Sequence, residues 1–553
     1  MAIAHPFIKG LSNLLKRLYS WQNQPGLRRV LLLAAIFFTV TLALAAHRYY
    51  NFYATYDHGL FNQLFWNSIH GNFFESSLSS SISNDSFVDG KLPYINYKHL
   101  GQHFVINFLL WMPLYALFPY PITLTILQVS LITASGLVLF FLARQYISPP
   151  LAVLITASFY FSNPIIGPTV DNFYELSQLP LCLFGVFLAL EKRCWWLFWL
   201  LVALTLGIRE ETGITIFGLG IYLIFSRRYP RIGIALCLLS FTYVTVVTNV
   251  IMPLFSDDNS RLYLAPYFKK FVNKENPSTL ELLWAIISQP QIIIQAVLTH
   301  FDRRIRYLLG QWLSLAFVPV ISRYSWLLAG PYLLILLVQD NRDALSINTR
   351  YTLAVAPALF YGAILWWSQN SEKFKPFFRR FWIGCIAVSL IFTITSNPHR
   401  SLYFIMPYSV KPWVYASISD RWQHAAHLQA VMKLVPRDAS LATSAYIVPH
   451  LSGRREIIRV PFMQFKNDAG EVTDVNYALL DMWQIKQHQL AAPVDRGRLR
   501  DMIPIVDRVL EKKTYGIIQI QDDIVLLQKG ATSQPQLLSA WEKLREEILQ
   551  INK

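Results

Sequence analysis

The sequence has few cysteines, few charged residues and none of the short signatures of soluble enzymes. Its four cysteines stand singly in or beside apolar segments, so neither a disulfide framework nor a cysteine metal site is expected. No Walker sequence, dinucleotide fingerprint, HExxH or CxxC motif occurs, and no Ser-His-Asp order. The net charge is +16, but no basic run alternates with aromatics in a compact polar domain, so no nucleic-acid partner is expected.

Apolar segments dominate the chain instead. Of 553 residues, 54% are hydrophobic, 15% aromatic and 15% charged, which is typical of a polytopic membrane protein. A bilayer core about 30 Å thick needs roughly 20 apolar residues per helix, and on that criterion the sequence predicts about eleven spans. They are Val30 to Ala46, Ile122 to Ala143, Leu151 to Ile166, Leu176 to Leu190, Trp195 to Ile208, Gly213 to Phe225, Ile232 to Ile251, Ile305 to Ile321, Trp326 to Val338, Thr352 to Trp367 and Phe381 to Thr395.

The distribution of charge predicts how these spans are oriented. Alternate connections hold sixteen Lys and Arg against only Glu191 and Glu372, so they and the N-terminus are expected in the cytoplasm. The opposite connections carry a series of carboxylates, which are therefore expected on the extracytoplasmic face. These are Asp57, Asp85, Asp89, Asp171, Glu175, Glu210, Glu211, Asp257, Asp258, Asp340 and Asp343.

Three regions follow from this topology: a cytoplasmic N-terminal segment 1–29, a transmembrane domain 30–396 and an extracytoplasmic α/β domain 397–553. The transmembrane domain has a first outer loop, 47–120, and an outer segment, 255–304. His103 to Phe118 is expected to lie along the membrane interface, and Leu282 to Val297 to form surface helices. In the C-terminal region, helices are predicted at Ala425 to Leu434 and at Arg498 to Lys512 with a break at Pro504, and strands at Ser440 to Ser444, Glu456 to Pro461, Tyr477 to Met482, Tyr515 to Ile520 and Asp523 to Gln528.

The most informative motif follows the first span, from Tyr56 to Trp66. If a helix begins at His58, then Leu60, Phe61, Leu64, Phe65 and Ile69 form its apolar face and Gly71 its C-terminal cap. Asp57 then has two interpretations that the sequence leaves open. It is either the N-cap of the helix or a functional carboxylate at the membrane surface.

Other polar residues of the predicted outer face form short clusters. Asp171 and Glu175 are four residues apart, and Arg209, Glu210 and Glu211 stand between two short apolar segments, where charge is costly unless paired or hydrated. Lys98, His99 and His103, and also Arg350 with Tyr351, are candidates to bind a phosphate. Each cluster also has a structural interpretation, as a hydrated loop, an ion-paired turn or a contact with lipid headgroups.

Acid, base and aromatic groups thus gather on one face. This combination suits transfer of a group from a lipid-borne phosphate, with a carboxylate accepting a proton and cations stabilising the departing phosphate. A divalent metal, Mg or Mn, bound by Asp57, Asp171, Glu175 and Glu210 is a further candidate.

The Tyr-Asp-x-Gly-x-Phe-x-Gln-x-x-Trp string from Tyr56 to Trp66 resembles that of the DUF2079 predicted membrane proteins. So do the segments His99 to Phe104, Asp171 to Glu175, Arg209 to Glu211 and Pro449 to Arg455. That family in turn resembles the GT-C membrane glycosyltransferases, such as the protein mannosyltransferases and aminoarabinose transferases. The chain departs from the expected pattern at Asn62, Gln102 and Tyr174, which counts against a metal site or a second proton carrier.

The resemblance implies a mostly α-helical GT-C fold in the bacterial plasma (inner) membrane. It also implies inverting sugar transfer from a polyprenyl-phosphate donor to an extracytoplasmic lipid, glycan or protein. Asp57 would be the base or acceptor-orienting carboxylate, with Asp171 and Glu175 as further catalytic candidates, and Tyr56, Lys98, His99, His103, Arg209, Glu210, Arg350 and Tyr351 would contact substrate or phosphate. A transporter or flippase and a non-catalytic assembly protein remain alternatives.

Overall fold

The computed structural model describes residues 24–256, 268–274, 277–339, 341–395, 406–407 and 409–551. Residues 1–23 of the predicted N-terminal segment lie outside these ranges. So do Asp257, Asp258 and Asp340 among the predicted outer carboxylates, and the start of the predicted C-terminal domain at 397–405.

Helices make up most of the described chain. They are α1 Leu27–Tyr50, α2 Tyr56–Ile69, α3 Ser77–Ser81, α4 Asn84–Phe87, α5 Phe108–Leu117, α6 Pro121–Ala143, α7 Pro149–Tyr160, α8 Asn163–Val170, α9 Leu179–Glu191, α10 Trp195–Leu206, α11 Thr212–Phe225, α12 Pro230–Val246, α13 Thr279–Ser288, α14 Pro290–Leu298, α15 Phe301–Leu313, α16 Val318–Ile321, α17 Arg323–Val338, α18 Thr352–Gln369, α19 Pro376–Thr395, α20 Ile418–Met432, α21 Val448–Leu451, α22 Trp483–His488, α23 Pro493–Glu511 and α24 Pro535–Ile551. A π turn at Val247–Ile251 and a 3₁₀ turn at Met252–Leu254 extend α12. Proline in the first turn of α6, α7 and α12 fits these starts, since its fixed φ suits a position that needs no N–H donor.

In the part of the chain that the structure describes, four helical segments are long and apolar enough to cross a membrane: α1, α6, α12 with its extension to Leu254, and α19. The number rises to six if the bent pairs α7 with α8 and α13 with α14 each form one span. The remaining predicted spans fall on the shorter helices α9, α10, α11, α15, α17 and α18. The total of about eleven therefore stays a prediction.

Two predicted spans are not continuous helices, and the first is Leu151 to Ile166, where α7 ends at Tyr160 and α8 begins at Asn163. The segment Ile305 to Ile321 is also divided, since α15 ends at Leu313 and α16 begins only at Val318. Between α15 and α16, Ala316 and Phe317 have positive φ angles of 51° and 61°, which an α-helix does not allow. The prediction of one helix is wrong in both segments, because an apolar run does not report the local backbone conformation.

The two predicted surface segments are helical. Helix α5 exposes most of its apolar residues and buries Phe108 and Tyr115. Helices α13 and α14 meet at an angle of 87°, at the Gln-Pro interruption noted in the sequence. The transmembrane core is one apolar cluster to which α1, the helices from α6 to α11, α17 and α18 contribute.

The C-terminal part contains a mixed five-stranded sheet with the strand order β4-β3-β7-β9-β8. In chain order the strands are β1 Ser409–Val410, β2 Trp413–Val414, β3 Leu441–Thr443, β4 Ile457–Arg459, β5 Gln464–Lys466, β6 Val472–Asp474, β7 Tyr477–Asp481, β8 Tyr515–Gln521 and β9 Ile524–Lys529. Strand β3 runs parallel to β4 and β7, whereas β9 is antiparallel to β7 and β8. The five predicted strands match β3, β4, β7, β8 and β9, but α23 continues through Pro504, where a break was predicted.

The two faces of this sheet have different partners. On one face Leu441, Ile457 and Leu479 pack with α20 and with residues of the first loop, including α2. On the other face Ala442, Ile458 and Leu480 pack with α23 and α24. The sheet is thereby attached directly to the helix that carries the Tyr56 to Trp66 motif.

Candidate active site

Helix α2 carries Asp57 in its first turn. The helix begins at Tyr56, with extended Thr55 at the N-cap and no side-chain capping bond. The interpretation of Asp57 as the cap of a helix starting at His58 is therefore wrong. Asn172 holds the actual start, since its Oδ1 accepts the Thr55 amide at 2.8 Å and its Nδ2 donates to the Thr55 hydroxyl at 2.7 Å. The Asp57 carboxylate is thus available for other contacts.

The other end of α2 follows the prediction. Gly71 has φ 91°, its amide donates to the Ser68 carbonyl at 3.2 Å, and the Asn72 amide donates to the Asn67 carbonyl at 2.9 Å. These two bonds are the Schellman motif for which glycine is favoured. The predicted apolar face is buried at Leu60, Phe61, Leu64 and Phe65.

A cavity of about 990 Å³ lies beside the start of α2. Its polar part is lined by Arg48, Asp57, His99, Gln102, His103, Asp171, Asn172, Tyr174, Glu175, Arg209, Glu210, Glu211, Arg350 and Tyr351. Its apolar part lies between α11, α12, α13 and α17 and is lined by Ile214, Phe217, Phe241, Val244, Leu282, Leu283, Ile286, Ile287, Leu334 and Ile335. Every predicted site residue except Tyr56 and Lys98 is in this lining.

Asp57 is the most accessible of the ion-paired carboxylates in the lining. Its side chain is 37% exposed, and Arg350 approaches it at 3.4 Å from the connection before α18. The Tyr174 hydroxyl donates to the same oxygen at 3.2 Å. The Arg350 guanidinium lies over the rings of Tyr174 and Tyr351, 4.5 and 5.1 Å from their centroids, which holds it in place by cation–π contacts.

Asp171 is buried in a structural ion pair. Its carboxylate meets Arg48 at 3.1 Å, and the two side chains are only 4% and 2% exposed. Arg48 also donates to the Asn172 Oδ1 at 3.3 Å. Gln128 donates to the Asn172 carbonyl at 2.9 Å, so this segment is fixed from both α1 and α6. Asp171 therefore positions Asn172 and, through it, the start of α2.

Arg209 lies at the centre of the remaining carboxylates. It pairs with Glu175 at 2.8 Å, and Glu210 and Glu211 approach it at 3.6 and 3.9 Å. Glu210 also contacts the His103 Nδ1 at 2.9 Å and accepts the Phe104 amide at 3.0 Å. Burial alone would raise the pKa of Glu210, but His103, Arg209 and the Phe104 amide lower it to about 2. Glu210 is therefore ionised beside Arg209.

His99 lines the cavity beside this group. Its Nδ1 is 2.9 Å from the Ser79 hydroxyl, and its ring lies 5.9 Å from that of His103. Burial lowers its pKa well below the ordinary value, and the charges of His103 and Arg209 lower it further. A neutral imidazole results, which can form a hydrogen bond but does not supply a charge to a phosphate.

Tyr56 and Lys98 lie away from the cavity lining. The Tyr56 hydroxyl donates to the Leu78 carbonyl, and Lys98 pairs with Glu75 at 2.6 Å. Glu75 in turn contacts Arg455 of the C-terminal part at 2.5 Å. Both predicted substrate contacts are thus engaged in packing of the first loop.

The candidate metal ligands are each in contact with a basic side chain. Asp57 meets Arg350, Asp171 meets Arg48, Glu175 meets Arg209, and Glu210 meets His103. Within the described ranges, no group of three or more His, Cys, Asp or Glu is placed to hold a metal ion. The donor set therefore does not fit a divalent metal.

Sequence reasoning missed several residues of this site. Arg48, Asn172 and Tyr332, which donates to Glu211 at 2.7 Å, carry no motif signal of their own. Tyr446, from the loop after β3, also lines the cavity. The resemblance did single out position 174, although as a departure, and the structure shows that its tyrosine binds Asp57 directly.

The C-terminal string Pro449 to Arg455 contacts α2 directly. The Asn62 side-chain amide donates to the Ser452 hydroxyl at 2.8 Å. The Gln63 side-chain amide donates to the backbone carbonyls of Arg454 and Arg455 at 3.2 and 3.0 Å. The Arg454 side chain donates to the carbonyls of Leu451, Pro436 and Ala439. These contacts explain why two strings far apart in sequence both appear in the resemblance.

Long apolar helices and a buried polar cavity define a polytopic membrane protein. The chain belongs to the DUF2079 family of predicted membrane proteins, whose model matches residues 48–526. This confirms the resemblance inferred from the Tyr56 to Trp66 string. Among solved structures, ArnT from Cupriavidus metallidurans bound to undecaprenyl phosphate is similar, with 9% identity, a TM-score of 0.46 and coverage of 91% of this chain and 97% of that chain. No curated protein matches the sequence.

Proposed function

We propose that this protein is a GT-C type membrane glycosyltransferase that moves a sugar from a polyprenyl-phosphate donor to an extracytoplasmic acceptor with inversion. The observation that carries the proposal is the accessible Asp57 carboxylate beside Arg350, at the polar end of a cavity whose other end is apolar. A donor with a charged head and a long hydrocarbon tail matches both ends.

The apolar end of the cavity is accessible from the lipid side of the helices. Phe241, Ile287 and Leu334 line it, yet they are 48%, 71% and 39% exposed. A bilayer would surround these side chains, so a prenyl chain can reach the cavity without crossing water.

In the proposed reaction the acceptor hydroxyl or amine donates a hydrogen bond to Asp57. The acceptor atom attacks the anomeric carbon, its proton passes to the Asp57 carboxylate, and a new bond to that carbon forms. The bond between the anomeric carbon and the phosphate oxygen breaks on the opposite side, and its electron pair leaves with the polyprenyl phosphate.

Arg350 is better placed than Arg209 to receive that phosphate. A phosphate beside Arg209 would meet three carboxylates within 4 Å of the guanidinium, and the repulsion would cancel the attraction. Arg350 has one carboxylate at 3.4 Å, is 24% exposed and is held by two aromatic rings. A fixed guanidinium binds phosphate well because little side-chain freedom is lost.

The site requires a particular orientation. We place the protein in the bacterial plasma (inner) membrane, with the N-terminus in the cytoplasm and the cavity and C-terminal region, 397–553, outside. The basic connections predicted to be cytoplasmic support this arrangement.

The test compares Asp57→Asn with two other carboxylate variants in purified, full-length protein. With a labelled polyprenyl-phosphate sugar and envelope lipids as acceptor, Asp57→Asn should lose transfer by at least about 100-fold, the lower range for a general base, and keep its thermal stability. Asp171→Asn should instead lower stability, because it leaves Arg48 buried and unpaired. Asp501→Asn, 70% exposed on α23, is the neutral control.

The outcomes separate the alternatives. Full transfer by Asp57→Asn contradicts the assignment of the base. Movement of the labelled lipid across a vesicle without cleavage indicates a transporter, and binding without cleavage or movement indicates an assembly protein.

A further inference from the structure

The parallel strands of the C-terminal sheet end towards the cavity that Asp57 lines. Because β3, β4 and β7 are parallel, their carboxyl ends lie at one edge of the sheet. Tyr446, three residues after β3, lines the cavity, and Arg459 is the last residue of β4. The carboxyl edge of parallel strands is where open α/β sheets bind ligands.

Contacts with α2 fix this edge in place. A β-carbon at Gly59 would lie 2.4 Å from the Val448 Cγ1 and 2.8 Å from the Val448 carbonyl carbon, so the two segments are in backbone contact. His450 stacks on Tyr49 with 4.3 Å between ring centroids. The sheet edge and the first turn of α2 therefore form one surface.

Arg459 contributes a cation to this surface. Its guanidinium lies 5.4 Å from the centroid of the Tyr56 ring, the residue directly before Asp57. Within the ranges that the structure describes, no carboxylate pairs with Arg459 within 4.0 Å, unlike Arg48, Arg209 and Arg350. A cation without a paired carboxylate beside the proposed base is available to an anionic ligand.

Arg498 of α23 adds a second positive charge nearby. Its guanidinium is 3.2 Å from Asp495 and its side chain is 42% exposed. Burial lowers the pKa of Arg459 and the charge of Arg498 lowers it further, while Tyr56 and Asp57 oppose both. An anion bound at Arg459 would relieve this repulsion.

We propose that this edge of the sheet is the acceptor subsite, where Arg459 binds a phosphate or carboxylate group of the acceptor, Arg498 adds positive charge and Tyr446 forms the wall towards Asp57. The acceptor is then an anionic lipid, glycan or peptide. The role of this site in binding the acceptor rests on the proposed transfer, whereas the binding of an anion there does not.

The test titrates inorganic phosphate, and separately acetate, against chloride at equal ionic strength, with full-length protein in nanodiscs and thermal stability as the readout. Arg459→Ala should weaken phosphate binding by about tenfold or more, since a charge-assisted contact is lost. Arg498→Ala should also weaken it. Arg500→Ala, two residues further on the same helix and 71% exposed, should leave it unchanged.

Arg350→Ala distinguishes this site from the donor phosphate site. Phosphate binding that survives Arg459→Ala and Arg498→Ala but is lost in Arg350→Ala would overturn the proposal, as would equal binding by all variants. If Asp57→Asn retains transfer while Arg459→Ala still loses phosphate, the anion site stands and the proposed function fails. A response to acetate but not phosphate assigns a carboxylate ligand.

Discussion

At the scale of single residues, arginine pairing distinguishes carboxylates that look alike in the sequence. Asp57 was the preferred candidate for catalysis and Asp171 and Glu175 were further ones, and their side chains are 37%, 4% and 2% exposed. Burial and pairing leave the last two as supports and Asp57 as the group that a substrate can reach. Sequence alone could not show this, because the partners Arg48 and Arg209 belong to other helices and connections.

His424 in α20 gives a prediction about pH. Its ring lies 3.1 Å from Asp481 and 2.8 Å from Asp522, and it stacks on Trp483 with 4.4 Å between centroids. Burial lowers the pKa of His424, but the two carboxylates raise it to about 9 from 6.5. The stabilisation of the folded state by the contacts of His424 with the two carboxylates should therefore be complete below pH 6.5 and disappear as the pH rises through about 9.

The free energy of unfolding should fall by an amount on the order of 3 kcal/mol between pH 6 and pH 10, which a fall in the thermal midpoint measures. His424→Gln should remove most of that pH dependence and start from a lower midpoint. An equally steep fall in this variant would assign the effect to another group.

At the scale of elements, the contact between α2 and α21 has no space for a side chain at position 59. Gly59→Ala should cost about 1 to 3 kcal/mol and reduce transfer, because the added methyl group pushes α2 away from Val448. Thermal unfolding and transfer by the purified protein measure both effects.

Gly384→Ala is the matched control, a glycine in α19 with no atom within 4 Å of an added β-carbon. It should be neutral or stabilise by up to about 1 kcal/mol, as alanine favours helix. Equal behaviour of the two variants would contradict the proposed contact.

Element types were predictable to the extent that they depend on local sequence. Alternating apolar residues gave β3, β4, β7, β8 and β9 within a few residues, and Gly71 gave the end of α2. The start of α2 was misplaced because Asn172, distant in sequence, fixes Thr55. The break at Ala316 and Phe317 was missed because an apolar run is compatible both with a continuous helix and with a break between two helices.

At the scale of the whole molecule, the proposed transfer requires the cavity to face the extracytoplasmic side of the membrane. Exposed cysteines in a background without the four native ones provide the test. Gln536→Cys, at an exposed position of α24, should react with an impermeant maleimide in right-side-out spheroplasts. Ser371→Cys, in the exposed turn before α19, should react only after lysis. The reverse pattern would place the cavity in the cytoplasm.

The Asn62 to Ser452 bond joins positions 390 residues apart. During synthesis, α2 is therefore made long before its partner exists, and this contact cannot form until the segment around Ser452 has been made. Nascent chains that stop before this segment should insert into the membrane yet hold an incomplete site. We therefore expect α2 to reach its final packing only after the C-terminal part has folded.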